Sequence, residues 1–161
     1  MYLSKYFTIL DWNRKIGLAL DITNGLHYLH KENILHRDLH SRNIVIHQGK
    51  AKITDFGNSK SMNTITSIHY SLFGNIPYVA PEILKACKTE RDPYTDIYSL
   101  GVILWEISSG KPPFEGSCDY AICTTILIGD RKKKSTRYNS KCWDVKPKKR
   151  HDIEDFYEKL E

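Results

Sequence analysis

The stretch His36-Arg37-Asp38-Leu39-His40-Ser41-Arg42-Asn43-Ile44-Val45-Ile46-His47-Gln48-Gly49-Lys50-Ala51-Lys52-Ile53-Thr54-Asp55-Phe56-Gly57 decides how the chain is read. Its centre holds two short β-type runs, Ile-Val-Ile at 44–46 and Ala-Lys-Ile at 51–53, joined through His47-Gln48-Gly49-Lys50, which is a hairpin signal. A turn centred on 48–49 makes the numbers of cross-strand partners sum to about 97 or 98. Asn43 and Asp55 then lie together at the open end of the hairpin. An amide oxygen beside a carboxylate begins a site for a hard divalent cation, which prefers oxygen ligands. Asp38 precedes Asn43 on the same loop, so its carboxylate can approach the same place, where it could orient a hydroxyl and accept its proton. For any one of these residues, a surface loop acid or an Asn turn would be the ordinary reading. Their convergence is what carries weight.

Outward from this centre the pattern is helical. Asp11 can cap a helix in which Ile16, Ala19, Leu20, Leu26 and Leu29 recur at helical spacing. Gly25 inside it costs about 1 kcal/mol relative to Ala and is tolerable where another backbone packs closely. After the hairpin comes a Ser/Thr-rich stretch over 57–79 without a clear period. Thr95 or Asp96 is expected to cap an apolar helix through about Ser108, ended by Gly110-Lys111-Pro112-Pro113. Further helices are expected over 119–128 and 153–160.

Composition bounds the rest. The 161 residues, 40% apolar and 27% charged, suit one compact domain with a sizeable core. Cys87, Cys118, Cys123 and Cys142 show no C-x-x-C spacing and read as free thiols of a reducing compartment. The opening MYLSKYFTIL lacks the apolar run of a leader, and the apolar stretch 97–107 is too short for a bilayer and carries Glu106. An intracellular, cytoplasmic location without a membrane partner is therefore expected, with the nucleus as the alternative. The net charge of +5 resides in one segment: residues 1–130 balance 13 basic against 13 acidic side chains, residues 131–150 hold ten basic and one acidic, and residues 151–161 hold one basic and five acidic. Arg131-Lys132-Lys133-Lys134 and the basic residues from Lys146 to Arg150 could touch nucleic acid or serve nuclear import. A solvated face is the preferred reading, so no nucleic-acid partner is expected. The histidines are scattered without a cysteine at ligand spacing, which argues against zinc.

His36-Arg37-Asp38-Leu39 with Asn43, then Asp55-Phe56-Gly57, then Ala80-Pro81-Glu82 resemble, in order and separation, the motifs of the eukaryotic protein-kinase family. The resemblance extends through Gly25-Leu26-His27-Tyr28-Leu29-His30, Asp96-Ile97-Tyr98-Ser99-Leu100-Gly101, Pro112-Pro113-Phe114 and Cys142-Trp143-Asp144 with Pro147 and Arg150. It covers essentially the whole chain and is tyrosine-kinase-like in flavour. The fold it implies is mainly α: the kinase C-terminal lobe, a helical bundle with a small β-hairpin at the catalytic loop and no N-terminal β lobe. One partial kinase domain over 1–161 follows, with 131–150 as a basic segment within it, degenerate against the family pattern.

The resemblance also implies roles. Asp38 would be the catalytic base, and Asn43 and Asp55 the ligands of Mg2+, or of Mn2+ in its place. Val45 would lie beneath the adenine of ATP. Arg37 would pair with a phosphate on the activation segment, among whose hydroxyls are Ser59, Ser61, Thr64, Thr66, Ser67, Tyr70 and Ser71; Tyr78 reads as packing. His36 and Phe56 would stack in the internal spine, Asp96 would accept backbone N–H bonds from the catalytic loop, and Glu82 would pair with Arg150. Arg42 stands where tyrosine kinases often carry Arg, and His40 where serine/threonine kinases carry Lys. Asn75 and Asn58 replace a common Thr and a usual apolar residue. The 77–82 wording, Pro-Tyr-Val-Ala-Pro-Glu, tilts the acceptor towards Ser/Thr of a protein substrate.

No G-x-G-x-x-G motif occurs, and only 35 residues precede His36. The upper lobe, with its phosphate-gripping lysine, is expected to be a missing partner, and the chain alone is expected to turn over weakly because half of the cleft is open to water. The rival expectation is a non-catalytic, pseudokinase-like binding module.

Overall fold

The computed structural model describes residues 10–62, 75–86, 91–130 and 142–154. Helix α1 spans Trp12–Lys31, and the Asp11 side chain accepts from the Arg14 N–H at 2.7 Å, satisfying one of the orphan donors of the first turn. Strands β2 (Ile44–His47) and β3 (Lys50–Ile53) pair antiparallel with Ile44 opposite Ile53 and His47 opposite Lys50. Every pair sums to 97, as the turn geometry requires. Gln48 (φ 48°) and Gly49 (φ 77°) both adopt positive φ, the signature of the two-residue turn that matches strand twist. A second short pair, β1 (Ile34–Leu35) with β4 (Lys60–Ser61), brackets the quoted stretch.

The β2–β3 hairpin is fastened to α1. The Asp21 carboxylate accepts from the Ala51 N–H at 2.9 Å, and the Arg14 guanidinium donates to the Gly49 carbonyl. Gly25 faces the same hairpin: a Cβ there would lie 3.3 Å from Cδ1 of Ile53, so the close neighbour is a side chain and not a backbone.

Helix α2 spans Pro81–Ala86, α3 Pro93–Ser109 and α4 Asp119–Ile128, the last with the boundaries expected from sequence. Most of α3 is buried, because it carries two clusters at once. On one side Leu100, Ile103 and Ile107 meet Leu18, Ile22 and Leu26 of α1; on the other Tyr98 and Val102 meet Ile76, Ile83, Ile122 and Ile126. The cap of α3 differs from expectation. Asp92 caps it, accepting from the Thr95 N–H at 3.1 Å ahead of Pro93, so Thr95 and Asp96 fall inside the first turn. Asp96 is thereby available to point elsewhere. Gly110 at φ 70° ends the helix.

Gly101 lets the 142–145 segment lie against α3. A Cβ built on it would stand 2.6 Å from the Cβ of Cys142. Gly101→Ala should therefore destabilise by about 1–3 kcal/mol despite the better helix former, read as a lower urea midpoint at unchanged slope.

Of the helix expected over 153–160 only residues 153–154 are described; the other positions, the basic run 131–141 and the hydroxyls of Thr64, Thr66, Ser67, Tyr70 and Ser71 lie outside the described residues. Among the described residues, no helix is long and apolar enough to cross a membrane.

Candidate active site

The loop 36–43 crosses from β1 to β2 and is held from beneath by α3. Buried Asp96 accepts from the backbone N–H of His36 at 2.8 Å and of Arg37 at 2.9 Å, one on each carboxylate oxygen, with His30 Nε2 at 3.2 Å from Oδ2. Two successive backbone donors on one carboxylate fix the direction in which the loop leaves, and Arg37 takes φ 72° in doing so. His36 is buried, its Nε2 3.0 Å from the Thr54 carbonyl.

Asp38, Asn43 and Asp55 come to one end of the hairpin. The Asn43 amide nitrogen donates to the Asp38 carbonyl at 2.9 Å, which leaves its Oδ1 as the atom able to face a cation. Asn43 is buried; its cross-strand neighbour is Thr54, whose N–H donates to the Asn43 carbonyl at 2.9 Å. Asp55 follows at φ 63°, a left-handed turn that carries it off the strand, and its exposed carboxylate accepts from the Gly57 N–H at 3.4 Å. An amide oxygen and one exposed carboxylate suit Mg2+, which keeps waters and phosphate oxygens for the rest of its shell. Among the described residues no group of three or more His, Cys, Asp or Glu side chains could hold a metal ion, so such a cation would depend on phosphate oxygens.

Both carboxylate oxygens of Asp38 meet amides. Asn58 Nδ2 donates to Oδ2 at 3.3 Å and Asn75 Nδ2 to Oδ1 at 3.4 Å. The Arg42 guanidinium donates to Asn75 Oδ1, which polarises the amide that meets Asp38. His40 Nε2 stands 3.7 Å from Asp38 Oδ1, beyond hydrogen-bond length. Burial pulls the His40 imidazole below its ordinary value, with Arg42 and His36 adding to the effect and Asp38 and Asp55 opposing it. A neutral ring thus occupies the position. Asn58 and Asn75 were legible in sequence only as departures from the family pattern.

Phe56 lies against His36 with ring centroids 5.4 Å apart and planes tilted by 58°; His36 is buried, while Phe56 is 49% exposed. Val45 is likewise exposed, at 42%. Farther out, Arg150 Nη1 and Nη2 each reach a Glu82 carboxylate oxygen at 2.7 Å, Nε donates to the Asp144 carbonyl and Nη1 also to the Tyr94 carbonyl at 2.8 Å, and the guanidinium covers the Tyr98 ring at 5.1 Å.

Three side chains that the sequence reading gave no part in the reaction centre are brought together here: the Ser41 hydroxyl, the Tyr78 hydroxyl and the Glu106 carboxyl. The signal for them was a single acid inside the apolar run of α3.

The family described as "Protein kinase domain" matches residues 5–160. A probable LIM domain-containing serine/threonine-protein kinase from Dictyostelium discoideum is 31% identical over 96% of this chain and 16% of its own length. The probable serine/threonine-protein kinase drkC of the same organism is 32% identical over 94% of the chain and 22% of its own length. The serine/threonine/tyrosine-protein kinase HT1 of Arabidopsis thaliana is 30% identical over 100% of the chain and 43% of its own length. The chain thus spans less than half of each of these relatives, while nearly all of it is matched, and it belongs to the protein kinase domain family.

Proposed function

We propose that this chain carries the catalytic loop of a kinase of the tyrosine-kinase-like group, transferring the γ-phosphate of ATP to a protein hydroxyl, Ser/Thr in preference to Tyr. The observation that carries this reading is the Asn43 side chain bonded to the Asp38 backbone carbonyl at 2.9 Å, at the open end of the hairpin that Asp55 follows. In it, Asp38 orients the acceptor hydroxyl and takes its proton as the new O–P bond forms and the bond to the leaving phosphate oxygen breaks. Asn43 Oδ1 and the Asp55 carboxylate hold Mg2+ (or Mn2+), which when bound offsets charge on the phosphates. Val45 carries the adenine, and the exposed Val45 and Phe56 suit a face that an upper lobe covers. Arg37 serves a phosphorylated activation segment, and His36, Glu82, Asp96 and Arg150 are the supports. A cytoplasmic location is part of the same reading.

One observation favours the non-catalytic alternative. Both oxygens of Asp38 already accept amide N–H bonds, a quiet arrangement for a base. Phosphotransfer from Mg-ATP to a mixed peptide substrate separates the two. The chain alone should transfer weakly. Fused behind the upper lobe of a relative, it should transfer readily, and Asp38→Asn should lower that rate by about 10²–10⁴-fold. A fused protein that folds and binds ATP but transfers nothing would leave only the binding module, and transfer indifferent to Asp38→Asn would remove Asp38 as the base.

A further inference from the structure

Glu106 is a buried carboxyl, 5% exposed, near the C-terminal end of α3. It faces two hydroxyls that arrive from different parts of the fold. Tyr78 OH lies 2.7 Å from Oε2, Ser41 Oγ 3.2 Å from Oε1, and the two hydroxyls are 2.9 Å from each other. Among the described residues, Glu106 has no ion-pair partner. The charged and titratable groups on the elements packed around α3 are engaged elsewhere or neutral, and Arg42, one residue from Ser41, donates to Asn75. His40, from the Ser41 loop, has its ring 5.9 Å from that of Tyr78 and is neutral by burial. His30 on α1 meets Asp96 near the other end of α3, Arg150 grips Glu82, and Lys148 and Lys149 are exposed.

Proton counting then decides the state of the triangle. Three short O···O contacts need three hydrogens if each is to be a hydrogen bond. With Glu106 ionised, only the Ser41 and Tyr78 hydroxyl hydrogens exist. Both are drawn to the carboxylate, and the Ser41–Tyr78 contact is left as two oxygens facing without a hydrogen. With Glu106 protonated, the ring closes in one direction: the acid O–H donates to Ser41 Oγ, Ser41 O–H to Tyr78, and Tyr78 O–H to the other Glu106 oxygen. A buried carboxyl without a counter-ion also favours the neutral form on desolvation grounds.

We infer that Glu106 carries a proton in this closed ring and acts through it as a positioning residue, fixing the loop that bears Asp38 to α3 by way of Ser41 and to the 76–78 turn by way of Tyr78. The role for the loop rests on the phosphotransfer reading; the protonation does not. Loss of the proton to solvent opens one side of the ring and releases the loop's tie. In support, burial pushes the Glu106 carboxyl up to about 7, with the Tyr78 and Ser41 bonds pulling against it, and burial likewise keeps the hydroxyl hydrogen on Tyr78. The folded acid thus holds its proton to higher pH than the unfolded one. Its contribution to stability is complete below the ordinary glutamate value of 4.5 and is lost as pH rises through about 7.

Glu106→Gln tests this, since the amide supplies an N–H to Ser41 and an oxygen to Tyr78 at every pH. In infrared difference spectra, the unaltered chain at about pH 6 should show a buried carboxylic-acid band that the Gln variant lacks and that fades by about pH 8. Between those limits the unfolding constant of the unaltered chain should rise on the order of 10-fold relative to the Gln variant. Amide exchange at residues 41–43, compared with the Gln variant at equal pH, should quicken several-fold only above about 7. A site that merely fills space would give matching pH profiles in the two proteins. Matching profiles, or an acid band unaffected by the substitution, would overturn the proposal. None of these readouts needs phosphotransfer, so a chain that transfers nothing would leave the result intact.

Discussion

Asp96→Ala is expected to lower stability by about 3–5 kcal/mol, enough to unfold a marginally stable domain. The carboxylate is 1% exposed and takes two backbone N–H bonds, from His36 and Arg37, with His30 Nε2 also in reach. Alanine leaves these donors buried without an acceptor, and each such donor costs about 1–3 kcal/mol. Asp92→Ala is the control. It removes an N-cap from the same helix and should cost only about 1 kcal/mol. Urea unfolding of the two variants checks the assignment, because a larger loss at Asp92 would mean that Asp96 does not hold the loop.

Arg150→Met should be of similar size, about 3–5 kcal/mol. Methionine keeps much of the buried aliphatic stem but abandons the Glu82 carboxylate and the Asp144 and Tyr94 carbonyls, all of which the guanidinium serves in one plane. Arg150→Lys keeps the charge without the fork and should recover only part of the loss. Pairing Arg150→Met with Glu82→Gln in a double-mutant cycle separates the ion pair from the carbonyl bonds. Full additivity would show that the 2.7 Å contacts contribute nothing jointly.

The sequence disclosed those parts of the fold that local chemistry dictates. The hairpin register followed from Gln48-Gly49, because a two-residue turn leaves one pairing. The Asp11 cap and the 119–128 helix were legible for the same reason. The cap of α3 was not, because Asp92, Thr95 and Asp96 are all competent caps and Asp96 was drawn away by partners some sixty positions earlier in the chain. The site divides in the same way. Asp38, Asn43 and Asp55 sit on a loop and hairpin whose geometry is local. The Asn58 and Asn75 contacts with Asp38, and the Ser41–Tyr78–Glu106 triangle, depend on segments far apart in sequence, and no period or spacing announces them.

Helix α3 carries both Asp96, under the loop, and Glu106, under the 76–78 turn. Along a straight helix these stand about 15 Å apart, at a phase set by 3.6 residues per turn. The rod thus works as a gauge whose divisions are backbone hydrogen bonds. Adding one residue between the two acids would leave its hydrophobicity almost unchanged while swinging one contact by about 100° relative to the other. Length here is under tighter control than composition.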